Sequence, residues 1–156
     1  MSTCIFPGKF QPFHEGHLMV VQGMIKTCGN VTIVICDEGK LTPDAPYTVE
    51  QRREMISAAL LARDIMDATI VVVRDGGEDV AWAKRVLDEA GGSEPYVWSG
   101  REEIRAIFEG LGVQTKKIVP VPGISSDDIR AKKAAGNSDW RKHIPAGAID
   151  VLMGAQ

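Results

Sequence analysis

The sequence has few of the features that usually indicate a metal site, a membrane segment or a nucleic-acid surface. Its three cysteines form no Cys-x-x-Cys pair and no zinc-ligand spacing, which argues against a structural zinc site. Its longest apolar runs have only the length of a β-strand, which excludes a transmembrane helix. Its formal net charge is −3, so no broad surface for nucleic acid or an anionic membrane is expected, and any phosphate site must be local.

The cysteines and the start of the chain predict the compartment. Cys4, Cys28 and Cys36 are odd in number and lie in apolar stretches, so we expect three buried, reduced thiols. The start of the chain lacks the basic region and apolar run of a secretory signal. A cytoplasmic protein is therefore expected.

The rest of the composition is that of an ordinary globular protein. The chain has 156 residues, 44% of them apolar and 25% charged, which is enough for one domain with one sizeable core. Nearly continuous apolar runs recur at 31–36, 69–73, 96–98 and 118–121, as is typical of parallel strands covered on both faces. Amphipathic segments lie between these runs, and one of them opens with a capping box at Thr48 and Gln51. This alternation predicts a doubly wound, parallel α/β sheet.

The last third of the chain has a different pattern. The loop at 120–123 contains two prolines, and Ser125 or Ser126 is the expected N-cap of the helix after it. Segments 140–145 and 146–153 predict a small C-terminal helical cap. We therefore expect a single domain over residues 1–156, with an α/β core at 1–122 and the second helix start and C-terminal helices at 123–156.

The most informative segment is GKFQPFHEGH, residues 8–17, between the first predicted strand and the first predicted helix. The N-terminus of a helix attracts phosphate through its unpaired N–H groups and partial positive charge. His14 and His17 are three positions apart and would lie on one face of that terminus. Gly16 lets a ligand approach the backbone, and Lys9 adds a cation. The segment predicts a phosphate site built for chemistry rather than two structural histidines.

This segment resembles the HxGH signature of the nucleotidyltransferase superfamily. It is most similar to the archaeal-type nicotinamide mononucleotide adenylyltransferases, whose version reads much like GRFQPxHxGH, and the resemblance extends over about residues 4–145. It implies a single domain of Rossmann-like nucleotidyltransferase fold. It also implies Mg²⁺-dependent transfer of AMP from ATP to nicotinamide mononucleotide, giving NAD and pyrophosphate. The implied partners are these two small molecules, without nucleic acid or membrane, and a homo-oligomer is possible.

The resemblance also assigns residues to the nucleotide. His14 and His17 would donate to the phosphates and stabilise charge in the transition state, and Lys9 and Arg130 would neutralise the triphosphate. Arg130 belongs to a second signature of the family, SxxxxR, which begins at Ser125 here. An ordinary capped helix with a surface arginine is the alternative for that segment. The implied ATP-binding residues are Gly8, Phe10, Gly16, Gly100, Ser125 and Ser126.

Besides Lys9, which stands where the family more often has arginine, two residues depart from the family pattern. Asp127 stands where relatives commonly carry threonine, and a carboxylate repels a triphosphate unless Mg²⁺ intervenes. Asp127 should therefore be either turned away from the nucleotide or linked to metal. Arg101 replaces a residue that is usually neutral or acidic beside the nucleobase, so the base contacts are expected to differ.

Three residues are implied for the acceptor. Arg52 would contact its phosphate, while its neighbour Arg53 should face elsewhere on the helix; a solvated Arg52 is the alternative. Trp82 lies seven residues after Asp75, the spacing at which relatives in the nicotinamide branch stack an indole on the nicotinamide ring. A core tryptophan on an amphipathic helix is the alternative for Trp82.

The closest rival functions share this fold. Phosphopantetheine adenylyltransferases usually have threonine where this chain has His14, and glycerol-phosphate-type cytidylyltransferases usually read GTFDxxHxGH. Gln11-Pro12-Phe13 favours the nicotinamide branch over both. A non-catalytic nucleotide sensor on the same scaffold is a rival of another class. A plain NAD-binding Rossmann domain is disfavoured because GxGxxG is absent from the first loop.

Overall fold

The computed structural model describes residues 2–154, which form a five-stranded parallel sheet and seven helical segments. Strands and helices alternate through most of the chain, and three helical segments follow the last strand. In chain order the elements are β1 (Thr3–Gly8), α1 (Glu15–Thr27), β2 (Asn30–Asp37), α2 (Val49–Ala62), β3 (Ala68–Arg74), α3 (Asp79–Ala90), β4 (Pro95–Ser99), α4 (Glu102–Gly110), β5 (Gln114–Lys117), α5 (Ser126–Ala134), a 3-10 helix (Ser138–His143) and α6 (Ala148–Gly154).

The sheet has the strand order β3-β2-β1-β4-β5, and every adjacent pair is parallel. From β1, strands β2 and β3 extend the sheet to one edge. Strand β4 then pairs with the other side of β1, and β5 forms the opposite edge. This confirms the predicted doubly wound sheet with a small C-terminal helical cap. In such sheets ligands bind beyond the carboxyl ends of the strands, at the point where the order reverses. Gly8 ends β1 at that edge.

The predicted capping box is present at the start of α2. Gln51 N–H donates to Thr48 Oγ1 at 3.0 Å, and Thr48 N–H donates to Gln51 Oε1 at 2.8 Å. Two of the unpaired donors at the helix start are satisfied in this way. The inward face of α2 carries the apolar residues that its periodicity predicts, Met55, Ile56, Ala59 and Leu60.

The predicted fifth strand at 118–121 was wrong. The strand forms instead at Gln114–Lys117, where it pairs with β4. It lies at the edge of the sheet and is mostly exposed, so it needs no apolar run. The apolar run that follows contains Pro120, which has no backbone N–H to donate to a strand pair.

The expectation of three reduced cysteines was also wrong. All three cysteines are buried, but Cys4 and Cys28 form a disulfide with a Cα–Cα distance of 5.8 Å, and Cys36 is free. The fold brings β1 beside the residue that follows α1, a juxtaposition that the spacing of the cysteines along the chain does not reveal.

Two compact units make up the chain. Unit 1 contains the residues up to Gly8, Val21–Gly39 and Asp67–Val119, and therefore the whole sheet. Unit 2 contains Lys9–Val20, Lys40–Met66 and the residues from Pro120 onward. The predicted single domain over 1–156 remains a prediction, and residues 1 and 155–156 of it lie outside the described residues. No helix within residues 2–154 is long and apolar enough to cross a membrane.

Unit 1 has its apolar core on the sheet. Ten buried residues form this core cluster and come from β1 to β4, helices α3 and α4, and the start of the segment that leads into β5: Ile5, Val34, Cys36, Val73, Trp82, Ala83, Val86, Val97, Phe108 and Val113. Burial of this apolar surface is the main term that stabilises the sheet and its helices.

Candidate functional site

His14 and His17 form a reciprocal cap at the start of α1. His17 N–H donates to His14 Nδ1 at 3.3 Å, and His14 N–H donates to His17 Nδ1 at 3.1 Å. The two rings stack with centroids 3.6 Å apart and an interplanar angle of 16°. His14 is thus in the N-cap position and His17 in the N3 position of a capping box built from imidazoles. This geometry requires a spacing of three residues.

The cap also determines which nitrogen of each ring can donate. A neutral imidazole has one N–H and one acceptor nitrogen, and here Nδ1 of each ring accepts from the backbone. The proton of each neutral ring is therefore on Nε2. Each ring therefore keeps one N–H donor beside a helix N-terminus, and donors of this kind can bind and stabilise a phosphate group.

Both histidines are held in the neutral form. Burial lowers the pKa of His14 to about 4, with a smaller contribution from His143. Burial, and then the charge of His14, lower the pKa of His17 well below its usual value. At neutral pH the pair can donate through Nε2 without bringing two positive charges together.

Gly16 is required by the position of the His14 ring. A Cβ at residue 16 would lie 2.9 Å from His14 Cε1 and 3.0 Å from His14 Nδ1. These distances are shorter than normal van der Waals contact, so any larger residue would displace the ring. The glycine of the HxGH pattern therefore serves the cap itself, in addition to any close approach of a ligand.

Two phenylalanines support the His17 ring from the preceding turn. Phe10 meets it edge-on with centroids 4.9 Å apart, and Phe13 stacks against it at 5.4 Å. Phe10 is buried and has a φ of 54°. Lys9, next to it, is exposed. The ATP-binding role expected for Phe10 remains a prediction, while its contact with His17 is a packing role.

Residues 9–13 connect β1 to α1 and are called the first turn below. Its backbone carbonyl groups accept hydrogen bonds from side chains in two later segments of unit 2. Arg52 Nη1 donates to Lys9 O at 2.9 Å, and Arg130 Nη1 donates to Gln11 O at 2.6 Å. Ser126 Oγ donates to Pro12 O at 3.0 Å. The structure therefore brings the two predicted arginines and one predicted serine to the turn that precedes the histidines.

The two serines of the second motif have different roles. Ser125 Oγ accepts from Asp128 N–H at 3.1 Å and is the N-cap of α5. Ser126 Oγ reaches the first turn instead. Arg130 also pairs with Asp127, whose carboxylate accepts from Nη2. Asp127 is thus directed at the arginine of its own helix.

Arg52 is not a solvated helix arginine. It is only 2% exposed, and besides its bond to Lys9 O its Nε donates to Thr48 O at 3.2 Å. Arg53, which was expected to face elsewhere on the helix, is exposed. The role of Arg52 in binding the acceptor phosphate remains a prediction.

Gln11 and His143 belong to this region, although their roles were not predicted. Gln11 is buried, and its amide makes two bonds to the backbone of Tyr47: Nε2 donates to Tyr47 O at 3.0 Å and Oε1 accepts from Tyr47 N–H at 2.9 Å. This ties the first turn to the segment before α2. His143 ends the 3-10 helix and lies near enough to His14 to lower its pKa. No motif in the sequence marks His143.

The remaining predicted residues lie in unit 1. Trp82 is 7% exposed and packs edge-to-face on Phe108, with centroids 5.6 Å apart. This position agrees with a core role, and stacking on a nicotinamide ring remains untested. Asp75 follows β3, and its N–H donates to Asp37 O at 2.8 Å.

The loop after β4 contains Gly100 and Arg101. A Cβ at residue 100 would lie 3.3 Å from Ile118 O, so the small residue accommodates neighbouring backbone. The exposed Arg101 donates from Nε to Glu103 Oε1 at 2.7 Å. Their nucleotide-binding roles also remain predictions. In the described part of the chain, no three His, Cys, Asp or Glu side chains form a group that could hold a metal ion.

Curated relatives match almost the whole chain. A nicotinamide-nucleotide adenylyltransferase of Methanolobus tindarius is 27% identical over 97% of this chain and 88% of its own length. An enzyme of the same name from Ignicoccus hospitalis is 28% identical over 95% of this chain and 89% of its own length. The similarity thus extends well beyond the HxGH segment.

Solved structures have the same fold at lower sequence identity. A bifunctional NMN adenylyltransferase/ADP ribose pyrophosphatase from Francisella tularensis, complexed with AMP and an Mn ion, superimposes with a TM-score of 0.80 at 21% identity. The match covers 98% of this chain and 48% of that one, so this chain spans about half of the bifunctional protein.

A family model described as cytidylyltransferase-like matches residues 5–132. This range includes the histidine cap, Arg52 and the whole second motif through Arg130. The match confirms the predicted membership of the HxGH nucleotidyltransferases. The chain belongs to the cytidylyltransferase-like family of nucleotidyltransferases.

Proposed function

We propose that this chain is a nicotinamide-nucleotide adenylyltransferase, which transfers AMP from ATP to nicotinamide mononucleotide to give NAD and pyrophosphate. The observation that carries the proposal is the capped His14–His17 pair, which presents two neutral N–H donors at a helix N-terminus. The names of the archaeal relatives support the choice of acceptor. Turnover, substrates and product are all parts of the proposal.

The reaction requires positioning and charge stabilisation rather than a nucleophilic side chain. A phosphate oxygen of nicotinamide mononucleotide attacks the α-phosphorus of ATP in line, the bond from that phosphorus to the bridging oxygen breaks, and pyrophosphate leaves. His14 and His17 donate to the α-phosphate oxygens as negative charge grows on them. Lys9 and Arg130 bind the triphosphate, and the start of α5 lies next to its pyrophosphate end.

Arg52 and Trp82 are assigned to the acceptor, with Asp75. The guanidinium of Arg52 already donates to Lys9 O and Thr48 O. It would also donate to the phosphate of nicotinamide mononucleotide. Trp82 would have to expose a face of its indole to stack on nicotinamide, because the ring is now almost fully buried. The assignment of Trp82 therefore predicts a rearrangement when the acceptor binds.

A divalent metal enters this proposal with the substrate. Mg²⁺ would arrive bound to the phosphates of ATP and keep several waters, as is usual for this ion with phosphate substrates. It would neutralise charge on the triphosphate. The Mn ion in the complex from Francisella tularensis supports a divalent metal, and Mg²⁺ is our proposal. A cytoplasmic location and self-association also remain predictions.

The test is NAD formation from ATP, Mg²⁺ and nicotinamide mononucleotide, measured with a coupled dehydrogenase. We expect turnover by the natural protein and a loss of about 10²- to 10³-fold in kcat for His17→Ala, the size of effect seen when a donor to a transition-state oxyanion is removed. Arg53→Ala removes an exposed charge and is the control that should keep full activity.

The other results separate the rival functions. NAD formation that survives in His17→Ala would contradict the role of the histidine. Turnover with CTP and another phosphorylated acceptor, without NAD formation, would favour a cytidylyltransferase. Tight ATP binding without turnover on any phosphorylated acceptor would favour a nucleotide sensor.

A further inference from the structure

Asp127 lies at the start of α5 and forms an ion pair with Arg130, the arginine of the second motif. Its carboxylate accepts from Arg130 Nη2, and Nη1 of the same guanidinium donates to Gln11 O at 2.6 Å. The Arg130 side chain is 15% exposed and the Asp127 side chain is 91% exposed. The carboxylate can therefore leave the pair without disturbing packed structure, whereas the guanidinium stays fixed against the first turn.

A phosphate group and a carboxylate compete for the same surface of a guanidinium. The carboxylate is planar and the phosphate group is tetrahedral, but the oxygens of both accept from the N–H groups of a guanidinium, preferably through two bonds at once. An exposed ion pair such as this one shifts an equilibrium by only about two- to fivefold. A polyphosphate can therefore displace Asp127 from Arg130. Because the ion pair must break first, the affinity of the site for the polyphosphate is lower by this factor of about two to five.

We propose that Asp127 is a positioning residue that holds Nη2 of Arg130 before the nucleotide binds and thereby lowers the affinity of the site for the triphosphate. This inference rests on the proposed function, because it assigns Arg130 to the triphosphate. Asp127 touches neither reacting atom. It acts through Arg130, and its effect is on binding rather than on the chemical step.

The neighbouring residue supplies a matched control. Asp128 lies in the same turn of α5 but pairs with Lys132, with a distance of 3.0 Å between Oδ2 and Nζ. Asp127→Asn and Asp128→Asn remove the same charge from the same helix start. Only Asp127→Asn frees Nη2 of Arg130 from its carboxylate partner. A general effect of charge on anion binding should therefore appear in both variants, and an effect through Arg130 should appear in Asp127→Asn alone.

The test is calorimetric titration with inorganic tripolyphosphate, without metal and at low ionic strength. We expect Asp127→Asn to bind about two- to fivefold more tightly than the natural protein and more tightly than Asp128→Asn. The difference should shrink as salt is added, since exposed charges are screened. Asp127→Glu keeps a carboxylate on the helix and should retain the natural affinity more closely than Asp127→Asn.

A second arm tests whether Asp127 acts through Arg130. In an Arg130→Met background, Asp127→Asn should gain no more affinity than Asp128→Asn does. In steady-state assays with ATP, Asp127→Asn should lower KM without raising kcat. Affinity in Asp127→Asn that is equal to or weaker than in the natural protein overturns the inference, as does a full gain in the Arg130→Met background.

The two proposals fail in different ways. If the natural protein forms NAD but Asp127→Asn gives no gain in tripolyphosphate affinity, the inference is wrong and the proposed function stands. If Asp127→Asn binds tripolyphosphate more tightly but no variant forms NAD, the substrate assignment is wrong and the relation between Asp127 and Arg130 stands.

Discussion

Replacing Gly16 by alanine tests whether the histidine cap, and not only the presence of two histidines, is needed for activity. The new Cβ would lie 2.9 Å from His14 Cε1 and 3.0 Å from His14 Nδ1, so the ring must move by several tenths of an ångström or turn away. Either movement weakens the bond from His17 N–H to His14 Nδ1 and the stacking of the two rings.

The effect of this change on stability is expected to be small, because two terms oppose each other. Alanine is favoured over glycine in a helix by at most about 1 kcal/mol. Loss of an N-cap hydrogen bond costs about 0.5–2 kcal/mol. The net change in the free energy of unfolding should stay within about 1 kcal/mol, which corresponds to a shift in Tm of about 2–4 °C for a chain of this size.

The effect on activity should be much larger. A catalytic group displaced by about 1 Å can lose about 10²-fold in rate, so a shift of several tenths of an ångström should cost somewhat less than this and a ring that turns away should cost the full factor. We expect Gly16→Ala to lose about 10- to 10²-fold in kcat/KM for NAD formation while its Tm hardly changes. The two measurements are thermal unfolding followed by circular dichroism and the coupled dehydrogenase assay.

Gly23→Ala is the matched control on the same helix. A Cβ at residue 23 would meet Trp98 at 3.7 Å, an ordinary contact, so the alanine should stabilise α1 by up to about 1 kcal/mol and leave activity unchanged. Full activity in Gly16→Ala would refute the reasoning, because it would show that the cap geometry does not matter. Equal losses in both alanine variants would point to a general effect on the helix.

Two further predictions concern pH and the first turn. Burial lowers the pKa of His14 from 6.5 to about 4, so the unfolded chain binds more protons than the folded chain between these pH values. The free energy of unfolding should therefore fall as the pH drops from 6.5 to 4, and His14 should contribute about 3 kcal/mol to this fall. Urea titrations of His14→Gln should show a shallower fall. NAD formation should also lose activity near pH 4 as the His14 ring becomes charged. Gln11→Ala removes a buried amide that makes two hydrogen bonds to the Tyr47 backbone. It should lower the free energy of unfolding in urea by about 1–3 kcal/mol and raise KM for ATP. Unchanged stability would contradict the role of Gln11 in connecting the first turn to the segment before α2.

The sequence predicted those parts of the fold that depend on local chemistry. The capping box at Thr48 and Gln51 forms as expected, because its two bonds involve residues only three apart. The three inner strands, β1, β2 and β4, are apolar because both faces of the sheet are covered. The position of the histidine pair at a strand-to-helix turn follows from the same local patterns.

Features that depend on distant parts of the chain could not be predicted in this way. The edge strand Gln114–Lys117 has no apolar run, so its pairing with β4 leaves no mark on composition. The partner of Cys4 is chosen by the packing of β1 against the end of α1. The burial of Arg52 depends on carbonyl groups of the first turn, 43 residues away along the chain.

The first turn explains how two motifs that are far apart in the sequence come together in the structure. Its carbonyl groups accept from Arg52, Arg130 and Ser126, and each of these bonds consumes a donor that could otherwise bind phosphate. A guanidinium has five N–H donors, and Arg130 uses two of its nitrogens to donate to Gln11 O and to Asp127. The bond to Gln11 fixes the position of the guanidinium, and the bond to Asp127 is the one that a ligand can replace. Under the proposed function, affinity for the triphosphate depends on what is exchanged at Arg130 and the rate depends on the histidine cap. Variants of Asp127 should therefore change KM, and variants of Gly16 should change kcat.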